Sequence, residues 1–295
     1  MARRLKSNNN DLDKFYSDVP LDTWAKILSP KMHYHFGEDN TNNVDIFDMA
    51  VRSLYRYLQE GSTVLDCGCG WGGPARMLID ELGCKVEGVT ISRQQSQFIR
   101  DFKVYHQDLS FFSPGKFYDT AIFIESFTHL NDPYIVLKNI SPHVNQILIK
   151  DFCCNGASHT PAWSMNIYSS KDYIRLLEAT GFKVVEIVEG ANHMRSSFEY
   201  WHKNISLFIS KSELIGQVRL LHELCQWGMR TDHLRETQSP SSIRGILLYA
   251  SLFVNVAFAK SKSTDNRIIL FAAISVCSKR SRMSRLDKLL IINSL

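Results

Sequence analysis

The sequence predicts a doubly wound α/β sheet flanked by helices, on three observations. The run Ser62–Asp66 is short and apolar, ends on an acid, and is followed at once by Gly68, Gly70, Gly72 and Gly73. Runs of this kind alternate with helical stretches as far as residue 190. Such alternation builds a largely parallel sheet with ligand sites at the carboxyl ends of its strands. Before the first run the apolar spacing is helical: Trp24, Ile27 and Leu28 fall at i, i+3 and i+4, and Val44, Phe47, Val51, Leu54 and Leu58 continue it.

The elements follow in order. Residues 11–60 read as helices, and Ser62–Asp66 as the first strand. Ala75–Leu82 reads as a helix stopped by Gly83, and Lys85–Ile91 as the second strand, with Ser92 as N-cap of the next helix. Val104–His106, Tyr118–Ile124 and Gln146–Lys150 are the third, fourth and fifth strands. Lys171–Thr180 is a helix ended by Gly181, and Phe182–Val188 is the sixth strand. Glu199–Arg230 then reads as one long aromatic-rich helical stretch, up to the loop Gln238–Ser242. Leu248–Ala259 and Arg267–Val276 flank a turn-like Ser263–Asn266 and predict a hairpin; Ser284–Leu295 reads as a short helix. No internal repeat is found.

Composition narrows the function classes. The chain has 295 residues, 44% hydrophobic and 22% charged, ordinary values for a globular protein. A net charge of +4 is too weak to argue for nucleic acid, and it is uneven: nine Lys/Arg against Asp265 and Asp287 give the tail from Ser241 onward a charge of +7 and leave −3 for the rest. The amino terminus carries charge without an apolar stretch behind it, so no secretory signal is expected. Seven irregularly spaced cysteines predict reduced thiols and a cytoplasmic setting, with no zinc or other metal site. The longest apolar stretch, Gly245–Ala259, is too short to cross a membrane.

The segment Asp66-Cys67-Gly68-Cys69-Gly70-Trp71-Gly72 carries the functional reading. Alternate glycines allow a sharp strand-to-helix turn and close approach of backbone to a ligand, and the following helix offers unpaired N–H groups. Gly68, Gly70 and Gly73 also fit the dinucleotide pattern G-x-G-x-x-G. That pattern requires an acid closing the second strand, whereas Glu87 is mid-strand and the strand ends on Thr90-Ile91-Ser92.

Asp66-x-Gly68-x-Gly70-x-Gly72 resembles the first motif of class I S-adenosylmethionine-dependent methyltransferases. Gly88-Val-Thr-Ile-Ser-Arg-Gln-Gln95 resembles the G-x-T-x-S-x-x-Q segment of one branch of that family. The branch contains cyclopropane-fatty-acid synthases, sarcosine and phosphoethanolamine N-methyltransferases, and terpenoid C-methyltransferases. Phe15-Tyr16, Trp24 and His33–Gly37 are similar to its lead-in, and the likeness covers about residues 12–190. It implies a Rossmann-like, seven-stranded sheet with N-terminal helices and a helical cap between the sixth and seventh strands. The organisation becomes a helical lid (1–60), an S-adenosylmethionine-binding core (61–190), a substrate cap (191–242), C-terminal strands completing the sheet (243–280) and a basic tail (281–295), read as a linker to a further domain.

The resemblance also assigns roles. Asp66, Gly68 and Gly70 surround the methionine part of S-adenosyl-L-methionine, while Thr90, Ile91 and Gln95 lie at the ribose. Gln107-Asp108-Leu109 is the adenine segment, with Asp108 alternatively a turn cap, and Tyr16 and Tyr34 close over the cofactor or are core aromatics. After the fourth strand, Glu125 and His129 face the methyl group; four residues apart, they share a face if the turn is helical. His129 is the candidate base, or else a structural histidine. Trp163, Tyr168, His193, Tyr200 and Trp201 are candidates for an apolar acceptor pocket, against the plainer reading of a core stripe.

The expected activity is methyl transfer to an oxygen or nitrogen of a small-molecule or short-peptide natural product, a peptide C-terminal carboxylate included. A prenyl or lipid carbon acceptor is the alternative, and a non-catalytic S-adenosylmethionine-binding module the second. No nucleic-acid or membrane partner is expected; a homodimer, or fusion to another biosynthetic domain, is open.

Overall fold

The computed structural model describes residues 13, 17–38, 45–153, 158–160, 165–189, 194–237, 252–259 and 269–272. Its centre is a run of five parallel strands, β1 (Thr63–Cys67), β2 (Lys85–Thr90), β3 (Lys103–His106), β4 (Tyr118–Ile124) and β5 (Val144–Cys153), in the order β3-β2-β1-β4-β5. The chain builds outward from β1 to β3, then returns to the other side of β1 for β4. This reversal opens a crevice at the carboxyl ends of β1 and β4.

The helices are α1 (Leu21–Ile27), α2 (Ile46–Arg52), α3 (Gly73–Leu82), α4 (Arg93–Phe98), α5 (Pro133–Ile140), α6 (Ser170–Glu178), α7 (Met194–Phe208) and α8 (Gly216–Thr237). Their starts follow the cap chemistry of the sequence. Asp45 accepts from Phe47 N and Asp48 N ahead of α2, Ser92 accepts from Gln95 N ahead of α4, and Ser169 with Asp172 forms a reciprocal capping box ahead of α6. Beyond β5, strands β6 (Ser158–Thr160) and β7 (Met165–Ile167) form a separate antiparallel pair. The strand β8 (Lys183–Glu189) pairs antiparallel with β9 (Leu252–Ala259), which also pairs antiparallel with β5. Short β10 (Ile269–Ala272) returns antiparallel on β9, the hairpin read from the sequence. Counting this return, eight described strands join the main sheet rather than seven.

Period-two alternation makes the sheet two-faced. Ala121 and Phe123 of β4, Leu65 of β1 and Ile147 and Ile149 of β5 pack with α5 and α6 through Val136, Leu137, Tyr173 and Leu177. Ile122, Val64 and Leu148, one residue out of phase, pack with α2 and α3 through Val51, Ala75 and Leu78. A third core joins α1, α7 and α8 around Trp24, Phe36, Phe47, Phe198, Trp201, Val218 and Leu221, and lies over the crevice.

Besides the non-helical segment 28–38 within 11–60 and the helix α5, which the sequence reading does not name, two elements differ from it. The single stretch Glu199–Arg230 is two helices, α7 and α8. Ser210 N and Oγ both donate to Glu213 Oε2, and Gly216 has φ +49, so a local turn outcompetes helix continuation. The β6–β7 pair is the second, since the sequence reading has no strands there. The tail helix at 284–295 lies outside the described residues.

The packing of β2 gives a stability prediction. A Cβ on Gly88 would stand 2.7 Å from Cys69 Sγ and 2.9 Å from its Cβ. Gly88→Ala should lower stability by about 1–3 kcal/mol through overpacking, read as a lower denaturant midpoint at unchanged slope. Adding Cys69→Ala should recover part of that loss.

Candidate active site

The turn after β1 is set by β4 as well as by its own glycines. Gly68 N and Cys69 N donate to Val89 O at 2.8 and 3.0 Å, which folds the loop back over β2. Gly68 has φ +92, and a Cβ there would lie 2.4 Å from Ser126 Cβ. Ser126 Oγ in turn donates to Cys67 O at 2.6 Å. Gly68 is therefore required by the crossing of β1 and β4, whereas Gly70, at φ +52, has nothing within 4 Å of its Cβ position.

A cavity of about 570 Å³ opens at this point. It is lined by Tyr34, Asp66, Gly68, Gly70, Thr90, Ile91, Gln95, Gln107, Asp108, Leu109 and Glu125, the described residues that the resemblance assigns to the cofactor. Tyr16 lies outside the described residues. Thr90 Oγ1 donates to Gln95 Oε1 at 2.8 Å, fixing both at the end of β2. Asp108 lines the cavity and also accepts from Ser110 N at 2.7 Å, so the turn-cap reading holds as well. Glu87 is held by Lys116, Tyr118 and Tyr105; although burial pushes its carboxyl up, these hydrogen bonds bring it down to about 2. It lies outside the cavity lining.

Asp66 is 2% exposed, and its Oδ2 has no hydrogen-bond partner. Burial alone pushes its carboxyl up to about 7. A buried orphan acceptor beside open space calls for an external donor, which the amino-acid end of S-adenosylmethionine supplies. The residues present fit that cofactor.

Glu125 and His129 both line the cavity, but not from one helical face. Glu125 takes the left-handed conformation, φ +49, and Phe127–His129 is a 3-10 turn, so the i,i+4 geometry expected from the sequence is absent. Glu125 Oε1 accepts from Phe36 N at 2.7 Å, and burial raises its carboxyl well above the usual range. The turn bearing His129 hangs on Asp151: Thr128 N and Oγ1 donate to its two carboxylate oxygens at 3.0 and 2.9 Å. Burial outweighs these bonds and lifts Asp151 to about 6.

The lid segment reaches the cavity through His35, which the sequence reading missed as a lining residue. His35 Nε2 bonds His33 Nδ1, and His33 Nε2 bonds Asp48 Oδ1, both at 3.1 Å. Burial pushes His35 well below its ordinary value. Asp151 and Gln217 were also missed. The sequence signal for Asp151 is an acid at the carboxyl end of an apolar strand.

Of the acceptor-pocket candidates, Trp201 lines the cavity. Tyr168 and Tyr200 do not, and this corrects the reading. Tyr168 packs on Phe127 and Tyr173, and burial raises its hydroxyl to about 12; Tyr200 packs edge-on against Phe47. Trp163 and His193 lie outside the described residues. Phe36, Phe152, Met165, Ile167, Met194 and Leu224 add apolar lining and pack with Trp201 in one cluster. No Lys or Arg lines the cavity among the described residues. No described helix is long and apolar enough to cross a membrane.

Residues 45–187 match the family model described as a methyltransferase domain. The matched segment is a little under half of the chain, and the five parallel strands and the glycine loop described above lie within it. Its relatives use different acceptors. The chain is 25% identical over 199 residues to (S)-tetrahydroprotoberberine N-methyltransferase of Eschscholzia californica, covering 57% of each protein. It is 27% identical to an O-methyltransferase of Penicillium expansum, over 67% of this chain and 81% of that one. Its fold is similar to that of the cyclopropane synthase MmaA2 from Mycobacterium tuberculosis, with TM-score 0.63 and 16% identity over 79% of this chain and 95% of that chain.

The Asp66 environment generates a pH prediction for the cofactor-free protein. Its folded pKa, about 7, lies above the ordinary carboxyl value. The folded state therefore binds more protons between about pH 4 and 7, and stability falls as pH rises through that window. Asp66→Asn should remove this slope and exceed the wild type in stability by about 2–4 kcal/mol at pH 8, while differing little at pH 4. Chemical denaturation across pH, compared between the two proteins, measures it.

Proposed function

We propose that the protein transfers a methyl group from S-adenosyl-L-methionine to an oxygen or nitrogen of a largely apolar small molecule. The observation that carries this reading is the cavity itself. Its lining carries an orphan carboxylate at Asp66 together with a largely apolar wall in which residues of α7 and α8 pack with Phe36 and Phe152. In this reading residues 191–242 are the cap over the acceptor, the domain inserted before a final antiparallel strand.

Asp66, Gly68 and Gly70 would hold the methionine part of the cofactor; Thr90, Ile91 and Gln95 the ribose; and Gln107, Asp108 and Leu109 the adenine. The bound cofactor supplies the electrophilic methyl group, so the chain's task is to orient the partners and exclude water. Phe36, Phe152 and Trp201 exclude water at the apolar end. Glu125, tied to Phe36 N, acts as a positioning residue that fixes the lid to the end of β4. His129, on a turn held by Asp151, is the base that accepts the acceptor's proton.

The charge of the lining sets the acceptor class. Asp66, Asp108, Glu125 and Glu223 line the cavity without a described Lys or Arg. An anionic acceptor finds no counter-ion there, so a hydroxyl or amine is favoured over a peptide carboxylate. A carbon acceptor is the second reading, favoured by the Phe36, Phe152 and Trp201 rings, whose faces stabilise a cation.

Two measurements test this. Calorimetric titration with S-adenosylhomocysteine should show binding, weakened at least about 100-fold in Asp66→Ala, because the ligand's donors lose a charged partner; unchanged affinity in that variant would remove Asp66 from the site. Against an apolar amine and phenol library, His129→Ala should lower kcat about 10²- to 10⁴-fold with little change in KM and abolish the acidic limb of the pH profile. A near-wild-type kcat would remove the base and favour a carbon or unprotonated acceptor.

A further inference from the structure

Several unpartnered buried polar atoms among the described residues line the cavity, while those of Trp24, Gln94 and His202 lie elsewhere. Asp66, Trp71, Trp201 and Gln217 each have at least one, and all four line the cavity. Asp66 and Trp71 belong to the glycine loop, and Asp66 is assigned there to the cofactor. Gln217 is different. It is 2% exposed, and both its Nε2 and its Oε1 lack a partner. Leaving both ends of a buried amide unpaired is costly, and native structures rarely do so without a ligand or water to complete the pairing.

Its place in the fold points it at the acceptor. Gln217, Leu220, Leu221 and Leu224 stand at i, i+3, i+4 and i+7, and all four line the cavity, so they form the inward face of α8. Three leucines and one unsatisfied amide make this face; Glu223 of the same helix also lines the cavity but is paired with Arg219. An amide presents a donor and an acceptor side by side, and its complement is a neutral group presenting an acceptor and a donor in the same spacing.

We infer that Gln217 is the specificity determinant of the acceptor chamber and that it recognises the N–H/C=O edge of a cis-amide, such as a lactam, on an otherwise apolar acceptor. The inference rests on the reading of the apolar half as the acceptor site. An ammonium or an isolated ether would satisfy one end of the amide and leave the other orphaned. A lactam edge satisfies both and adds no charge to a chamber that has no described cation.

The test uses the full chain and two probes, 2-quinolinone and N-methyl-2-quinolinone, which share a ring system and differ in the lactam N–H. Both are titrated calorimetrically into the wild type and Gln217→Met, with and without S-adenosylhomocysteine. The wild type should prefer 2-quinolinone by about ten- to a hundredfold, the range for a buried hydrogen bond lost to methylation. Gln217→Met, which keeps length and flexibility, should bind the two alike and retain its affinity for S-adenosylhomocysteine within about twofold. Its Tm should equal or exceed that of the wild type, because the amide has no protein partner to lose; a lower Tm would mark Gln217 as structural. Should that variant fail to fold, Gln217→Leu serves the same comparison.

Three results overturn the inference: no preference in the wild type or no binding of either probe, a preference that survives in Gln217→Met, or a loss confined to S-adenosylhomocysteine affinity, which would move Gln217 to the cofactor. Absence of S-adenosylhomocysteine binding in the wild type would instead strike the methyl-transfer reading, and the probe comparison without it would still decide the role of Gln217.

Discussion

The site depends on how β1 and β4 are pinned together. At their amino ends Thr63 N and Oγ1 donate to Asp119 Oδ2 at 2.8 and 2.7 Å, and at their carboxyl ends Ser126 Oγ donates to Cys67 O. Between these two clamps the register sets Asp66 opposite Ile122. The crossing is so close that no side chain fits at Gly68. Asp66 therefore has no freedom to swing toward solvent, and its carboxylate stays buried and unpaired beside the cavity. The reversal of the chain at β1 creates the crevice, and the clamps decide what the crevice presents.

The N-terminal segment is fastened to this frame by polar contacts as well as by apolar packing. Phe36 N reaches Glu125, Gly37 N reaches Ser197 Oγ at 2.8 Å, and Lys150 pairs with Glu38 and donates to Ala50 O at 3.0 Å. Lys150 is 3% exposed, so its ammonium must be matched to be tolerated. Such a pair is weak evidence for net stability, because desolvation offsets the attraction. Its geometric effect is definite: it ties the end of β5 to the segment before α2 and fixes the lid's register over the cavity.

The sequence made the central half of the fold legible because its signals are local. A strand ending in an acid before spaced glycines, Ser92 ahead of a helix, and Gly83 and Gly181 after helices are each read within a few residues. What escaped depends on distant partners. The break between α7 and α8 turns on Ser210 and Glu213, whose polar character looked like an ordinary helix surface. The 3-10 turn at Phe127–His129 is imposed by Asp151, 23 residues away, so an i,i+4 reading of Glu125 and His129 had no means of detecting it. The aromatic stripe misled for a related reason. Trp201 and Tyr200 are neighbours in sequence, but on a helix they face different ways, and only Trp201 meets the cavity.

Phe36 joins the two halves of the cavity. Its backbone N–H is committed to Glu125 on the cofactor side, while its ring packs against Phe152, Phe198 and Trp201 at centroid distances of 5.7, 5.2 and 4.9 Å. A displacement of Glu125 therefore moves a ring that forms the wall of the apolar chamber. Because a close-packed aromatic cluster has little free volume to absorb a displacement, the position of Glu125 and the shape of this apolar wall are tied through one residue.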